Sequence, residues 1–270
     1  MNIIVCIKQV PDTTEIRFDP ETNTMIRAGV PATINPFDKF SLEAAVQLKE
    51  KYGGTVTAVT MGPEPAVQSL REAYSLGADQ MVLVTDRIFG GSDTYSTGYI
   101  LSRAIRLLGD FDLIVCGKQA TDGDTAQVGP EIAEQLDLPQ LTYASQIQIE
   151  DGSVIVKREL EDCFELTQAP LPALVTVGKS VIEPRLPNVM RKLKANRMQP
   201  MCIGSADLPE LDTGRIGLTG SPTKVSKTFV PTMKKNTVML YETKAEETVG
   251  QLLAELDSRK IDLAGGFGND

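Results

Sequence analysis

The sequence contains no histidine. That absence removes Ser-His-Asp and Cys-His nucleophilic catalysis, histidine-ligated zinc and histidine general bases together. Cysteine is scarce: Cys6, Cys116, Cys163 and Cys202 are scattered with no CxxC spacing, which argues against iron–sulfur, zinc-ribbon and thioredoxin-type sites. Cys6 and Cys116 fall inside apolar runs and read as inert strand residues. No apolar run approaches the ~18 residues of a membrane span. The opening MNIIVCIKQVPD lacks a basic segment, a long apolar stretch and a cleavage site, so a soluble, cytoplasmic chain without membrane insertion is expected. Positive charge is in deficit, with 27 Lys+Arg against 36 Asp+Glu and a formal net charge of −9. A nucleic-acid surface needs clustered basic charge and is disfavoured. An acidic chain that binds phosphates must do so with backbone amides.

What is present is enough apolar material for a sizeable core: 41% of 270 residues are hydrophobic and 23% charged, which fits one large or two small domains. Short Val/Ile-rich runs at Ile3–Ile7, Val56–Met61, Met81–Val84, Leu113–Cys116 and Ala173–Val177 read as strands covered on both faces. Helical segments lie between them. One is capped by Asp38 and stops at Gly53-Gly54, one opens at Pro65 and stops at Gly77, and one runs from about Asp93 to Gly109. Alternating strand and helix predicts an α/β fold with a mostly parallel, doubly wound sheet. After Leu136, QIQIEDGSVIVKREL reads as a hairpin inserted through Asp151-Gly152, a type I′ signal. From about residue 181 to 270 the chain is rich in proline and turn residues and shows no sustained periodicity until a helix near Ala245–Leu256. The expected organisation is therefore a domain over 1–180 followed by an extended C-terminal arm over 181–270 that lies across the first domain or a partner.

Two loops have the composition for chemistry. CGKQATDGDTAQVGPEIAEQL follows the strand ending at Cys116 and leads into a helix, a natural phosphate site or an ordinary capped helix start. Gly117 and Gly123 permit close backbone approach, Thr125 and Gln127 add neutral donors, and Asp122 and Asp124 suit ribose hydroxyls, backbone N–H groups or a cation. FGGSDTYSTGYILSRAI clusters Ser92, Asp93, Thr94 and Thr97 at a helix start behind Gly90-Gly91. It resembles the SGGxDS loop of ATP pyrophosphatases, a remote alternative, but there the loop follows the first strand. Here the first strand leads into KQVPDT, which has no glycine. DGDT also resembles the DxDxT loop of haloacid-dehalogenase-like phosphatases, but Asp122 does not directly end a strand.

The segments VCIKQVPDT, INPFDKFSLEAAVQLKEKYG, VTMGP, LGADQMVLV, CGKQATDGDTAQVGPEIAEQLDLPQLTYA and VKRELEDCFELTQAPLPALVTV resemble, in that order, the beta subunit of an electron-transfer flavoprotein. The resemblance covers nearly the whole chain. It implies a nucleotide-binding α/β domain, an arm that wraps an alpha subunit, and AMP or a second FAD in the beta subunit. The family's nucleotide contacts carry over to Cys6, to Asn35, Pro36, Phe37 and Asp38, to Met61, and to Gly117, Lys118, Gln119, Asp122, Gly123, Asp124, Thr125, Ala126, Gln127 and Val128. Electron-bifurcating relatives resemble this chain in DGDTAQVGPEIAE and in GGSDT with Thr97 three residues after Thr94, which adds Asp93, Thr94 and Thr97 and favours FAD over AMP. The resemblance further implies hydride from NADH and two electron outlets. One is a low-potential acceptor such as ferredoxin or flavodoxin, the other a flavin dehydrogenase of the acyl-CoA dehydrogenase kind. Arg185–Arg197 carries five basic and no acidic residues. It resembles the family's dehydrogenase-docking loop, with Leu186 aligned to the apolar anchor.

Overall fold

The computed structural model of the chain describes residues 1–12, 31–179, 183–226, 237–241 and 244–261. Its first strand, β1 (Asn2–Cys6), is a Val/Ile run whose last four residues are buried, as a strand covered on both faces must be. A small antiparallel pair, β2 (Gln9–Pro11) and β3 (Ala32–Ile34), delivers the chain to α1 (Pro36–Tyr52). Asn35 is the residue before that helix. Pro36 fills its first turn, where a missing N–H leaves no bond unmade. Asp38, expected as the cap, consequently lies inside the first turn and is buried.

Next come β4 (Thr55–Met61), α2 (Val67–Ser75), β5 (Gln80–Val84), α3 (Thr94–Leu107), β6 (Leu113–Gly117) and α4 (Val128–Leu136). Asp93 caps α3 by accepting the Ser96 N–H at 3.1 Å, and Gly109 lies just past its end with φ 88°. The strands β7 (Gln140–Glu150), β8 (Ser153–Glu159), β9 (Phe164–Pro170) and β10 (Ala173–Val177) follow. Between β7 and β8 both Asp151 (φ 46°) and Gly152 (φ 73°) are left-handed, the backbone of a type I′ turn. Then come α5 (Val189–Ala195), β11 (Met201–Ile203) and the single turn α6 (Gly217–Gly220).

One nine-stranded sheet takes the order β11-β5-β4-β1-β6-β10-β7-β8-β9. It is parallel from β11 to β7, and β8 and β9 extend it antiparallel. Leu42, Val46, Leu70 and Ala73 of α1 and α2 cover one face, and Ile100, Ile105 and Ile132 of α3 and α4 cover the other. From β1 the chain builds outward through β4 and β5, then returns to lay β6 on the opposite side of β1. That reversal opens a crevice beyond the carboxyl ends of β1 and β6, the place where open α/β sheets hold ligands.

The region after residue 180 differs from a coreless arm. The expected boundary itself falls on residues outside the described set, but β11 pairs with β5, and Ala195, Ile203, Leu208 and Ile216 are buried. The compact unit accordingly runs from Met1 to Thr228, and Phe229–Asp270 is a second unit. Each of these buried contacts comes from one or two residues between turns, too few to produce a periodic pattern in sequence. Within the second unit α7 (Ala245–Ser258) buries nothing. Val249, Leu252 and Leu253 are exposed along it, at a spacing that puts them on one helix face. No helix among the described residues is long and apolar enough to cross a membrane.

Candidate nucleotide site

The crevice at the ends of β1 and β6 is braced by buried polar groups rather than by apolar packing alone. Asn35, 1% exposed, donates from Nδ2 to Asp38 Oδ1 (2.9 Å) and to the Gln119 carbonyl (2.8 Å), and accepts the Thr121 N–H at 3.2 Å. One amide side chain therefore ties the start of α1 to the loop after β6. Asp38 Oδ2 accepts the Lys8 N–H at 2.6 Å, which brings in the loop after β1. Burial pushes the Asp38 carboxyl up to about 7, even though Asn35, Lys8 and the Gly117 amide favour its ionised form. Gly117 has to be glycine here, because a Cβ would stand 2.2 Å from Asp38 Oδ1 and 2.9 Å from the Phe37 carbonyl carbon.

Beyond Gly117 the loop turns on two left-handed residues, Asp124 (φ 56°) and Ala126 (φ 55°). Left-handed backbone costs an alanine roughly 1 kcal/mol, so this shape is held by the contacts around it. Gly123, expected to permit close backbone approach, is not left-handed, and a Cβ there would meet open space. The loop's carboxylates are matched locally: Asp122 Oδ1 pairs with Lys8 Nζ at 2.6 Å and Asp124 accepts the Gln119 side-chain amide. No acceptor among the described residues is paired with the N–H groups of Thr125, Ala126, Gln127 or Val128, which precede and open α4. Lys118 turns away, its ammonium 4.9 Å from the centre of the Tyr143 ring.

The loop before α3 meets this one. Thr94 Oγ1 lies 3.1 Å from Gln127 Oε1 and 3.0 Å from Glu131 Oε1, so the first turns of α3 and α4 share a hydrogen-bond cluster. Thr97 is one turn along α3 on the same side as Thr94. Asp93 faces the other way. Its Oδ2 accepts the Thr223 N–H (2.9 Å) and hydroxyl (2.8 Å), and its own N–H donates to Ser221 Oγ at 2.8 Å. Burial works to raise its carboxyl, but the Ser96 and Thr223 donors outweigh it and hold Asp93 below the ordinary aspartate range. Both of its oxygens thus serve the helix cap and the 221–223 segment.

Cys6 and Cys116 sit side by side at the ends of β1 and β6, both buried and unbridged. The neighbouring Cys6 sulfur and burial hold the Cys116 thiol well above its usual range. Met61 ends β4 and packs against the α3/α4 side of the sheet.

The sequence profile of the Electron transfer flavoprotein domain family matches residues 22–200. The Electron transfer flavoprotein subunit beta of Thermoanaerobacterium thermosaccharolyticum is 47% identical over 261 residues, covering 97% of this chain and 100% of the relative. The chain belongs to the electron transfer flavoprotein beta subunits. The Caffeyl-CoA reductase-Etf complex subunit CarD of Acetobacterium woodii is 43% identical over 262 residues, covering 97% of this chain and all of CarD. Protein FixA of Azorhizobium caulinodans is 43% identical over 270 residues, covering 97% of this chain and 96% of FixA. Membership implies an alpha-subunit partner, electron-transfer partners and flavoprotein chemistry.

The crevice of this beta subunit fits an anionic nucleotide. Unpaired amides at 125–128 are neutral donors and the carboxylates of Asp122 and Asp124 are already matched, whereas the Thr94 hydroxyl is directed at Gln127 and Glu131, and Glu131 Oε2 is buried with no hydrogen-bond partner. Sequence reasoning missed Glu131 as well as the Lys8 contact to Asp122. An acid in the first turn of a helix reads as a favourable dipole partner, which hides any other use. The Ser221 and Thr223 contacts to Asp93 lie about 130 residues from it in sequence, and no local pattern announces them.

Proposed function

We propose that this chain is the FAD-binding beta subunit of a heterodimeric, electron-bifurcating flavoprotein, with the nucleotide lying across the crevice from the 117–128 loop to the first turn of α3. The observation that carries the reading is the Thr94–Gln127–Glu131 cluster, which makes one continuous polar surface of two loops. A mononucleotide phosphate needs only the first loop; a second phosphate and a ribityl chain give the second a purpose. The chemistry FAD supplies when bound is acceptance of hydride from NADH and release of the two electrons singly, one to a low-potential acceptor such as ferredoxin or flavodoxin and one toward a partner flavin dehydrogenase. The chain's part is to bind and orient. Amides at 125–128 and the hydroxyls of Thr94 and Thr97 meet the diphosphate without adding cations. Asn35 and Asp38 keep the loop in its left-handed turn.

The dehydrogenase docks, on this reading, around Leu186, which is 88% exposed beside the exposed Val189, Met190 and Leu193 in a basic segment. CarD, named for a complex with caffeyl-CoA reductase, supports a partner acting on CoA esters. The second unit, with the apolar face of α7, packs on the alpha subunit.

The purified heterodimer is expected to contain two FAD and to be reduced by NADH. Thr94→Val with Thr97→Val is expected to deplete one flavin selectively. A buried unpaired partner loses ~1–3 kcal/mol per bond, roughly 5- to 150-fold in affinity. Extraction and chromatography of the bound nucleotides decide it. One FAD with one AMP, and no bleaching by NADH, overturns bifurcation and leaves the family membership standing.

A further inference from the structure

The polar cluster between α3 and α4 holds a carboxyl group that nucleotide binding by backbone amides does not explain. Glu131 Oε1 reaches Thr94, but Oε2 is buried without a partner. The side chain occupies room that exists only because α3 carries Gly98. A Cβ on that glycine would stand 2.7 Å from Glu131 Cβ and 3.5 Å from Oε2. Glycine inside a helix costs about 1 kcal/mol relative to alanine, so the space comes at the expense of α3.

We propose that Glu131 is a positioning residue for the nucleotide's anionic group: by holding a proton it turns the Thr94 hydroxyl toward the ligand, so that binding at this loop takes up one proton. The inference rests on the reading that the nucleotide lies over this cluster. Thr94 has one hydroxyl hydrogen and two side-chain oxygens within reach, Gln127 Oε1 at 3.1 Å and Glu131 Oε1 at 3.0 Å. When Glu131 is ionised, it draws that hydrogen and sets a negative charge beside the ligand. When Glu131 is protonated, its own O–H donates to Thr94 Oγ1, and the threonine hydrogen is released from the carboxyl, so that a phosphate oxygen competes for it with Gln127 Oε1 alone. The proton comes from solvent and stays on the carboxyl, and no other bond changes.

The surroundings favour the neutral acid. An unpartnered oxygen is far less costly to bury as the carbonyl of an acid than as part of a carboxylate. Burial pushes Glu131 upward and the Asp93 charge adds to this, against the Thr94 hydrogen bond. Of the groups on the elements packed against it, Arg103 lies over the Tyr99 ring at 5.2 Å, Arg106 donates to the Gln135 carbonyl at 2.8 Å, and Arg215 lies over Tyr99 at 4.0 Å while donating to Gln135 Oε1 at 3.1 Å. The other titratable groups of those elements are Tyr95 and Tyr99 on α3, Cys116 on β6, Tyr143 and Glu150 on β7, and Glu134 on α4 itself. No ion pair among the described residues includes Glu131.

The test is calorimetric titration of nucleotide-depleted heterodimer with FAD from pH 5.5 to 8.5, in buffers of different ionisation enthalpy, for wild type, Glu131→Gln and Glu131→Ala. FAD's diphosphate diester does not titrate in that range. Wild type is expected to take up close to one proton per FAD at the alkaline end and to lose affinity about tenfold per pH unit once Glu131 ionises in the free protein. Glu131→Gln, whose amide still donates to Thr94, should bind as wild type does at acid pH, with no proton uptake and no pH slope. Glu131→Ala should bind weakly throughout. Equal proton counts and slopes in wild type and Glu131→Gln overturn the proposal, as does a Gln variant as weak as Ala at pH 6. If AMP binds and FAD does not, the flavin reading fails separately. Glu131 is then judged on the AMP proton count of wild type minus that of Glu131→Gln, which cancels the phosphate's own titration.

Discussion

Asp38 shows how a single buried residue sets a pH response. Its carboxyl is raised to about 7 from an ordinary value of 3.8, chiefly by burial. Between those two values the folded protein holds a proton that the unfolded chain has released. The contribution is therefore complete below about pH 4 and lost as the pH rises through about 7. We expect the stability of wild type relative to Asp38→Asn to fall by a few kcal/mol across that window. Thermal melts of the heterodimer from pH 4 to 8 measure it, and parallel profiles for the two proteins would count against the assignment. At this scale Asn35 was legible only through family resemblance, while Asp38 read as a helix cap and Gly117 as a loop glycine that permits close backbone approach. What makes them a brace is a set of contacts spanning 30 to 86 positions of sequence.

At the scale of elements, the segment leading into α5 is fastened by arginines. The Arg185 guanidinium donates to Glu43 Oε2 at 2.8 Å and to Glu50 Oε1 at 2.6 Å, bridging two turns of α1. Arg191 stacks over the Tyr74 ring of α2 at 4.5 Å and donates to the Tyr74 carbonyl at 2.8 Å. A basic run that resembles a docking loop is thus also a clasp, with Leu186, Val189, Met190 and Leu193 left exposed. Arg185→Ala is expected to destabilise by about 1–3 kcal/mol, since Glu43 is buried and loses its cation. Arg185→Lys should restore only a minor part, because a single ammonium cannot span both carboxylates. Urea denaturation at pH 7 checks this, and a lysine variant equal to wild type would show that the fork is unimportant. Opposing burial, Arg185 holds Glu43 below the ordinary glutamate range, and its hydrogen bonds do the same for Glu50. The clasp should therefore weaken as pH falls through those depressed values. The parallel strands β1, β4, β5, β6 and β10, the β7–β8 hairpin and the helices between them were readable from the apolar runs and turn residues, whereas β2, β3, β9, β11 and α5 were not; β9 buries none of its seven residues. Three-residue strands and a two-turn helix carry too few apolar positions to show a period.

For the whole molecule the second unit is the part least able to stand alone. Nothing in α7 is buried, and its exposed Val249, Leu252 and Leu253 make an apolar face. On the proposal that the alpha subunit covers this face, the chain expressed alone should aggregate, and co-expression should rescue it. Leu252→Asp with Leu253→Asp should abolish co-elution of the subunits in size-exclusion chromatography. The circular dichroism of the Met1–Thr228 unit should be unchanged. Undiminished co-elution would place the subunit contact elsewhere.

By itself the sequence determined the class of this fold: short Val/Ile-rich runs bounded by turn residues and alternating with helical segments read as strands of a parallel sheet, and Asp-Gly as the hairpin turn. It also determined the family, through ordered segments along nearly the whole chain. The tertiary structure alone decided which residues share the crevice. The reversal after β5 lays β6 beside β1 and so brings Lys8, Asn35 and Asp122 together. The packing of α3 on α4 does the same for Thr94, Gly98 and Glu131. Local propensity is written in a few neighbouring residues, but a buried carboxyl takes its chemistry from whatever the fold sets against it.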